Sequence, residues 1–140
     1  MTGFIQSTIK NTRSLSMQNK AGATATTMNY LYDLVGGLLV AATSASTRAT
    51  IAGVANQTTT GSESPAITQI PVIDLDSEDT FVVDSTNNSD VTHNGQLMVL
   101  GANAYTVNNT GTTDANGIVK QVGTFGAPSE KKIIVSFVAL

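Results

Sequence analysis

The side chains with chemistry to offer are few and scattered. The one histidine, His93, lies between Thr92 and Asn94 in a polar stretch, with Asp90 and several serines close in sequence. A nucleophilic site needs a serine oriented by that imidazole on a strained turn, and no such motif is present. His93 therefore reads as a solvated loop residue. The run Asp74, Asp76, Glu78 and Asp79 spaces carboxylates as the opening of a calcium loop does. That loop needs glycine at its sixth position and glutamate at its twelfth. Asp79 and Ser85 stand there instead. The run reads as a solvated turn that guards a strand edge, with a weak cation site as the alternative. Paired carboxylates also serve glycosidases. Four Phe, three Tyr and no Trp supply a sugar-stacking groove poorly, however. The twelve glycines form no dinucleotide or phosphate-loop pattern. Lys131-Lys132 beside Glu130 is ordinary hairpin decoration. No cysteine is present, which removes disulfides, thiolate catalysis and thiolate-bound metal. No catalytic residue, cofactor or metal ligand is assigned, and the chain reads as a non-enzyme.

The composition points to a scaffold. The 140 residues suit one domain with an appendage. Only 12% of residues are charged, and Thr, Ser, Asn and Gly make up the balance. Threonine suits strands, and asparagine and glycine suit tight turns. The net charge of −3 argues against nucleic acid as a partner, because phosphate binding needs clustered Lys and Arg. The start of the chain has no basic region followed by a long apolar run, so no signal peptide is expected. The longest apolar run, residues 34–42, contains two glycines and falls short of the ~20 residues of a membrane span. No membrane partner is expected.

Residues 1–27 are polar, with large apolar residues appearing singly at Phe4, Ile5, Ile9, Leu15 and Met17. No period persists, so this stretch alone buries too little surface to offset its ordering entropy. It reads either as a disordered tail or as an arm that orders across a neighbour, with those residues as anchors. Tyr30, Tyr32 and Leu34 mark the junction of arm and body. A short helix or turn is expected over residues 28–33, then Gly36-Gly37 as a breaker and a strand at residues 38–42. The chain changes character at residues 47–57, where Gly53 signals a bulge or close backbone approach. Residues 67–75 read as a strand that is an edge or has a bulge, because Pro71 removes one ladder hydrogen bond. Ile70, Val72 and Ile73 would pair there with a partner. Asn94-Gly95 is a hairpin signal. Residues 118–125 and 132–138 alternate well enough to form the clearest strand pair. About eight short strands at this spacing predict a mainly β protein, a small antiparallel β-barrel or sandwich. Residues 1–33 would be an extended N-terminal arm and residues 34–140 the body.

Two functions of different kind fit this layout. One is a structural assembly protein whose arm covers a neighbour, with many copies on a lattice multiplying a modest affinity. The other is a carbohydrate- or peptide-binding β-module using the polar loops at residues 85–95 and 109–116. Several runs favour the first: Gly53-Val54-Ala55-Asn56-Gln57-Thr58, Ile70-Pro71-Val72-Ile73, Asp84-Ser85-Thr86-Asn87-Asn88 and Thr106-Val107-Asn108-Asn109-Thr110, followed by the terminal hairpin. Over about residues 41–138, this order of strands and turns resembles the small virion structural proteins of tailed bacteriophages, among them capsid decoration or cement proteins. The resemblance implies a homotrimer on the outer capsid surface of a virion, made in the host cytoplasm. It would bind the major capsid protein and clamp neighbouring subunits against internal DNA pressure. A fibre or baseplate subunit is the nearest alternative. On this reading, removing residues 1–27 would leave the body folded and abolish attachment or trimer formation.

Overall fold

The computed structural model describes residues 2–8, 14–76, 78–110 and 113–139. Short strands dominate it: β1 (Ile5–Thr8), β2 (Leu15–Asn19), β3 (Leu31–Val35), β4 (Leu38–Ala41), β5 (Ile51–Ala55) and β6 (Gln69–Ile73). They are followed by β7 (Thr80–Ser85), β8 (Leu97–Met98), β9 (Thr106–Val107), β10 (Val119–Thr124) and β11 (Lys132–Phe137). The first sheet runs β1-β7-β11-β10-β8, with β9 added in parallel to the end of β7. The second runs β2-β6-β5-β3-β4, and every pairing in it is antiparallel. The protein is mainly β, built from two antiparallel sheets packed as a sandwich.

Alternation explains which side chains meet between the sheets. On β7 and β11, Phe81, Val83, Ile133, Val135 and Phe137 point inward. Leu31, Ile51, Val54 and Ile73 answer them from the second sheet. Phe4, Phe81 and Phe137 form the aromatic centre, with Phe137 centroids 5.3 Å from both other rings. The expected pair of residues 118–125 and 132–138 is the β10–β11 hairpin, with a bulge between Gln121 and Gly123.

The second sheet has a core of its own on its other face. Tyr32, Leu39, Ala55, Ile70 and Val72 are buried there, with Tyr30, Ala52 and Ile67 packed against them. The sheet curls around this cluster until its edge strands β2 and β4 lie alongside one another, without a ladder between them. Segments 20–30 and 57–68 cover the opening. Thr26 and Thr59 join them through a two-way backbone bridge and a buried hydroxyl pair 2.9 Å apart. Lys20 is buried, and its ammonium donates to the carbonyls of Ala21, Gly22 and Thr24 at 3.1, 3.4 and 2.7 Å. Three carbonyls replace the water that this charge gives up.

Three expectations give way. The leader is not a detached arm among the described residues. β1 pairs with β7, β2 pairs with β6, and Phe4 is fully buried. Its apolar residues are sparse because the sheets of the body supply most of the surface they pack on. Residues 28–33 are not helical, and the expected turn is confined to Met28 and Asn29. Asn29 takes φ 74° and donates its N–H to the Ala55 carbonyl, and β3 begins at Leu31. Leu31 then serves the sandwich core and Tyr32 the second core, which only a strand allows. Finally, β6 is no edge, since β2 and β5 flank it. Pro71 is tolerated because its carbonyl, accepting from Asn56, faces the side where β5 has just ended. Its missing N–H faces that side too.

Candidate functional site

The β3–β4 hairpin turns on Gly36 and Gly37, at φ 58° and 80°. These angles suit the two-residue turn whose twist matches its strands. Its pairs are Tyr32↔Ala41, Asp33↔Val40, Leu34↔Leu39 and Val35↔Leu38. Side chains alternate, so Leu31, Asp33, Val35, Leu38 and Val40 share the face that carries the sandwich core. Leu31 lies in that core, whereas Val35, Leu38 and Val40 are 58, 42 and 47% exposed. On β2, Leu15 and Met17 pair with Ile73 and Pro71 and therefore share the same face. They are 47 and 59% exposed. β2 and β4 are neighbours at the seam, so these five side chains form one apolar strip on the convex side of the curled sheet. Both strands are free of charged residues. Asp33, the nearest carboxylate on the hairpin, accepts from Ser46 at 2.5 Å and Thr50 at 3.2 Å.

The structure divides the expected contact residues. Leu15 and Met17 lie on the strip. Ile5 is half-buried on β1, opposite Val82, and Phe4 is in the core. Ile9 lies outside the described residues. Tyr30 stacks on Tyr105 with centroids 4.4 Å apart, and both rings are half-buried. Tyr32 is buried, and its hydroxyl accepts from the Thr27 N–H at 2.8 Å. Burial pushes that hydroxyl's pKa up, against the lowering effect of the bond. Leu34 is partly exposed on the concave face, close to the hairpin tip. Ile70 and Val72 lie in the second core and Ile73 in the first, so none of the three is available for edge pairing. Val35, Leu38 and Val40 were missing from the expected contacts. Their signal is the unbroken apolar run on both sides of Gly36-Gly37, where a hairpin must expose one face.

The two polar loops meet at one end of the sandwich. Asn109 is buried, and its amide accepts from the Asn87 N–H and donates to the Asn87 and Asn88 carbonyls. Next to them, Asp90 accepts from the N–H and hydroxyl of Thr92 at 2.9 and 2.7 Å. Those bonds lower its pKa. His93 Nε2 stands 3.9 Å from Asp90, beyond hydrogen-bond reach. Gln121, fully buried, donates to the Asp90 carbonyl and to Asn94 Oδ1. Asn94-Gly95 does not join two paired strands. With Gly95 at φ 90°, it turns the chain out of the 3-10 turn at Val91–His93 and into pairing with β10.

The acidic run is dispersed. Asp74 accepts from Ser14 and Ser16, Asp76 accepts from the Glu78 N–H, and Asp79 is buried beside Gln6. Among the described residues, no three His, Asp or Glu side chains gather as a metal site. A surface depression of about 290 Å³ is lined by Leu97, Lys120 and Ser136 to Ala139, with Lys120 as its one charged group.

Compared with known protein families, curated proteins and solved structures, the chain matches none.

Proposed function

We propose that this chain is a virion structural protein of a tailed bacteriophage, a decoration protein that binds the outer capsid surface and bridges neighbouring major capsid subunits. The observation that carries this reading is the uncharged apolar strip of Leu15, Met17, Val35, Leu38 and Val40, held on paired strands. Strand-borne side chains bind without paying to order a loop. Covering apolar surface returns about 25 cal/mol per Å², most of which association consumes. One copy would then hold modestly, and an array of copies would hold a shell through multivalency. The work is mechanical: raising the cost of separating the subunits it spans.

Co-sedimentation with capsids assembled without the chain tests this reading. Saturable binding and a higher capsid disruption temperature are expected. No binding at micromolar concentration would end it. Binding to tails and not to heads would instead identify a fibre or baseplate subunit.

One observation favours a second reading. The Tyr30–Tyr105 stack is an aromatic surface of the kind a carbohydrate-binding module uses. A glycan array on the purified chain separates the two. A specific glycan signal lost in Tyr105→Ala would support the module.

A further inference from the structure

We infer that the depression lined by β8, β10 and the end of β11 is a binding site for a small apolar monocarboxylate. Lys120 and Ser136 would hold the carboxylate, and the alkyl body would lie against Leu97, Val138 and Ala139. This site is on the outer face of the first sheet and does not rest on the capsid reading.

Register is the first argument. Lys120 on β10 stands directly opposite Leu97 on β8 and Ser136 on β11. Residues so opposed hold their Cβ atoms about 5 Å apart. Ser136 alternates with the core residues Val135 and Phe137 and so points outward, yet it is only 7% exposed. Its low exposure follows from its place in the depression. The next hydroxyl in the row, on Thr80, is engaged by Ser7 at 2.7 Å. The Ser136 hydroxyl makes no hydrogen bond among the described residues. An ammonium on a long stem and a hydroxyl donor therefore border one small space.

Charge is the second argument. Lys132 is paired with Asp84, and Lys20 is held by three carbonyls. Among the described residues Lys120 makes no ion pair. Arg48 Nε donates to the Val138 carbonyl at 2.7 Å, which pins one wall of the depression and adds positive charge behind it. Asp114, whose N–H donates to the Leu97 carbonyl, spends its carboxylate on the Asn116 N–H. One ammonium balances one negative charge, so a monoanion fits, whereas a phosphate dianion calls for more charged donors. A neutral apolar occupant would cover the ammonium without a partner.

Size is the third. The depression holds about 290 Å³, at the lower end for ligand sites. That suits an alkyl chain of about six carbons.

The test is an NMR titration of the full ¹⁵N-labelled chain with hexanoate, hexanol and hexylamine. Hexanoate should saturably shift the amides of residues 97, 120 and 136–139, with a dissociation constant of about 1 mM or below. Hexanol should bind at least about tenfold more weakly, and hexylammonium should leave these amides unmoved. Lys120→Gln should weaken hexanoate binding about tenfold, and Lys120→Arg should largely restore it. Ser136→Ala should weaken it about threefold. Lys131→Gln, at the opposite end of β11 from Ser136, is the control and should match the wild type. Thermal melts check that each variant folds, and the two Lys120 variants carry the test if Ser136→Ala does not. No saturable shift well above the expected dissociation constant overturns the inference. So does hexanol binding as tightly as hexanoate, or Lys120→Gln binding hexanoate as the wild type does. Shifts centred on Leu15, Met17 and Val40 also overturn it, since they would place the alkyl chain on the apolar strip instead.

Discussion

Asn109 holds Asn87 from both sides of its peptide unit: its Oδ1 accepts from the Asn87 N–H at 2.8 Å, and its Nδ2 donates to the Asn87 carbonyl at 3.1 Å. A third bond reaches the Asn88 carbonyl at 3.2 Å. One buried amide therefore stitches the two polar loops together across 22 residues of chain. Asn109→Ala strands these backbone groups and should cost about 1–3 kcal/mol. Asn109→Asp keeps the acceptor but removes the donor, and it should also destabilise. Urea unfolding of both variants checks this. A midpoint within error of the wild type would mean that the loops are held by something else.

Phe4 sets the standing of the leader. Its ring packs 5.3 Å from Phe137 and 6.2 Å from Phe81, and its N–H donates to the Asn29 carbonyl at 2.7 Å. Phe4→Ala should cost about 3–5 kcal/mol, as emptying a core aromatic site does. Removing residues 1–27 would also strip β1 from β7 and β2 from β6, so the truncated chain should unfold. This reverses the expectation of an independent body. A truncated chain with native circular dichroism and a cooperative melt would restore it.

The parts of this fold legible in the sequence are those whose pattern is local. Residues 118–125 and 132–138 alternate strongly and lie one turn apart, so β10 and β11 stand out unaided. The Gly36-Gly37 turn and the Gly53 bulge are legible because only glycine fits such backbones. What stayed hidden depends on partners distant in sequence. β1 finds β7 more than 70 residues away, and β2 finds β6 at least 50 away. Two-strand pairing at that distance leaves no periodic trace in a stretch as polar as residues 1–27. Pro71 misled for a related reason, because proline is excluded only where its N–H would be needed, and β5 ends beside it. Of the candidate surface, Leu15 and Met17 were legible as exposed apolar residues. Their union with Val35, Leu38 and Val40 depends on the curl of the sheet.

Gly53 is a sharp test of that curl. It sits at φ 149° opposite Tyr32, where the register slips by one residue before Asp33. A Cβ there would run into the Ile73 carbonyl and crowd a Val72 methyl at 2.7 Å. The backbone of β6 cannot retreat without disturbing its pairing with β2 on the far side. Gly53→Ala should therefore destabilise by about 2–4 kcal/mol, combining an unfavourable φ with overpacking. Thermal unfolding measures this. Gly95→Ala is the comparison, since its φ is also positive but no atom lies within 4 Å of the added carbon. It should cost only the backbone strain, about 1 kcal/mol. Equal losses at the two positions would show that crowding against β6 plays no part.

Glu63 ties the loop before β6 to pH. Its carboxylate accepts from the Thr60 N–H at 2.6 Å, the Thr60 hydroxyl at 2.9 Å and the Gly61 N–H at 3.1 Å. Led by the Thr60 N–H bond, these hold its pKa at about 2, against an ordinary 4.5. The folded value lies below the unfolded one, so folding favours the ionised form. The stabilisation is complete above about pH 4.5 and disappears as pH falls toward about 2. Glu63→Gln cannot titrate and lacks the charge-assisted bonds. The wild type should therefore be more stable than the variant at neutral pH, and the gap should close on acidification through that window. Melting temperatures of both proteins in a pH series measure the gap. A gap that stays constant down to about pH 2 would show that the carboxylate's charge contributes nothing to the turn, and that its hydrogen bonds act through geometry alone.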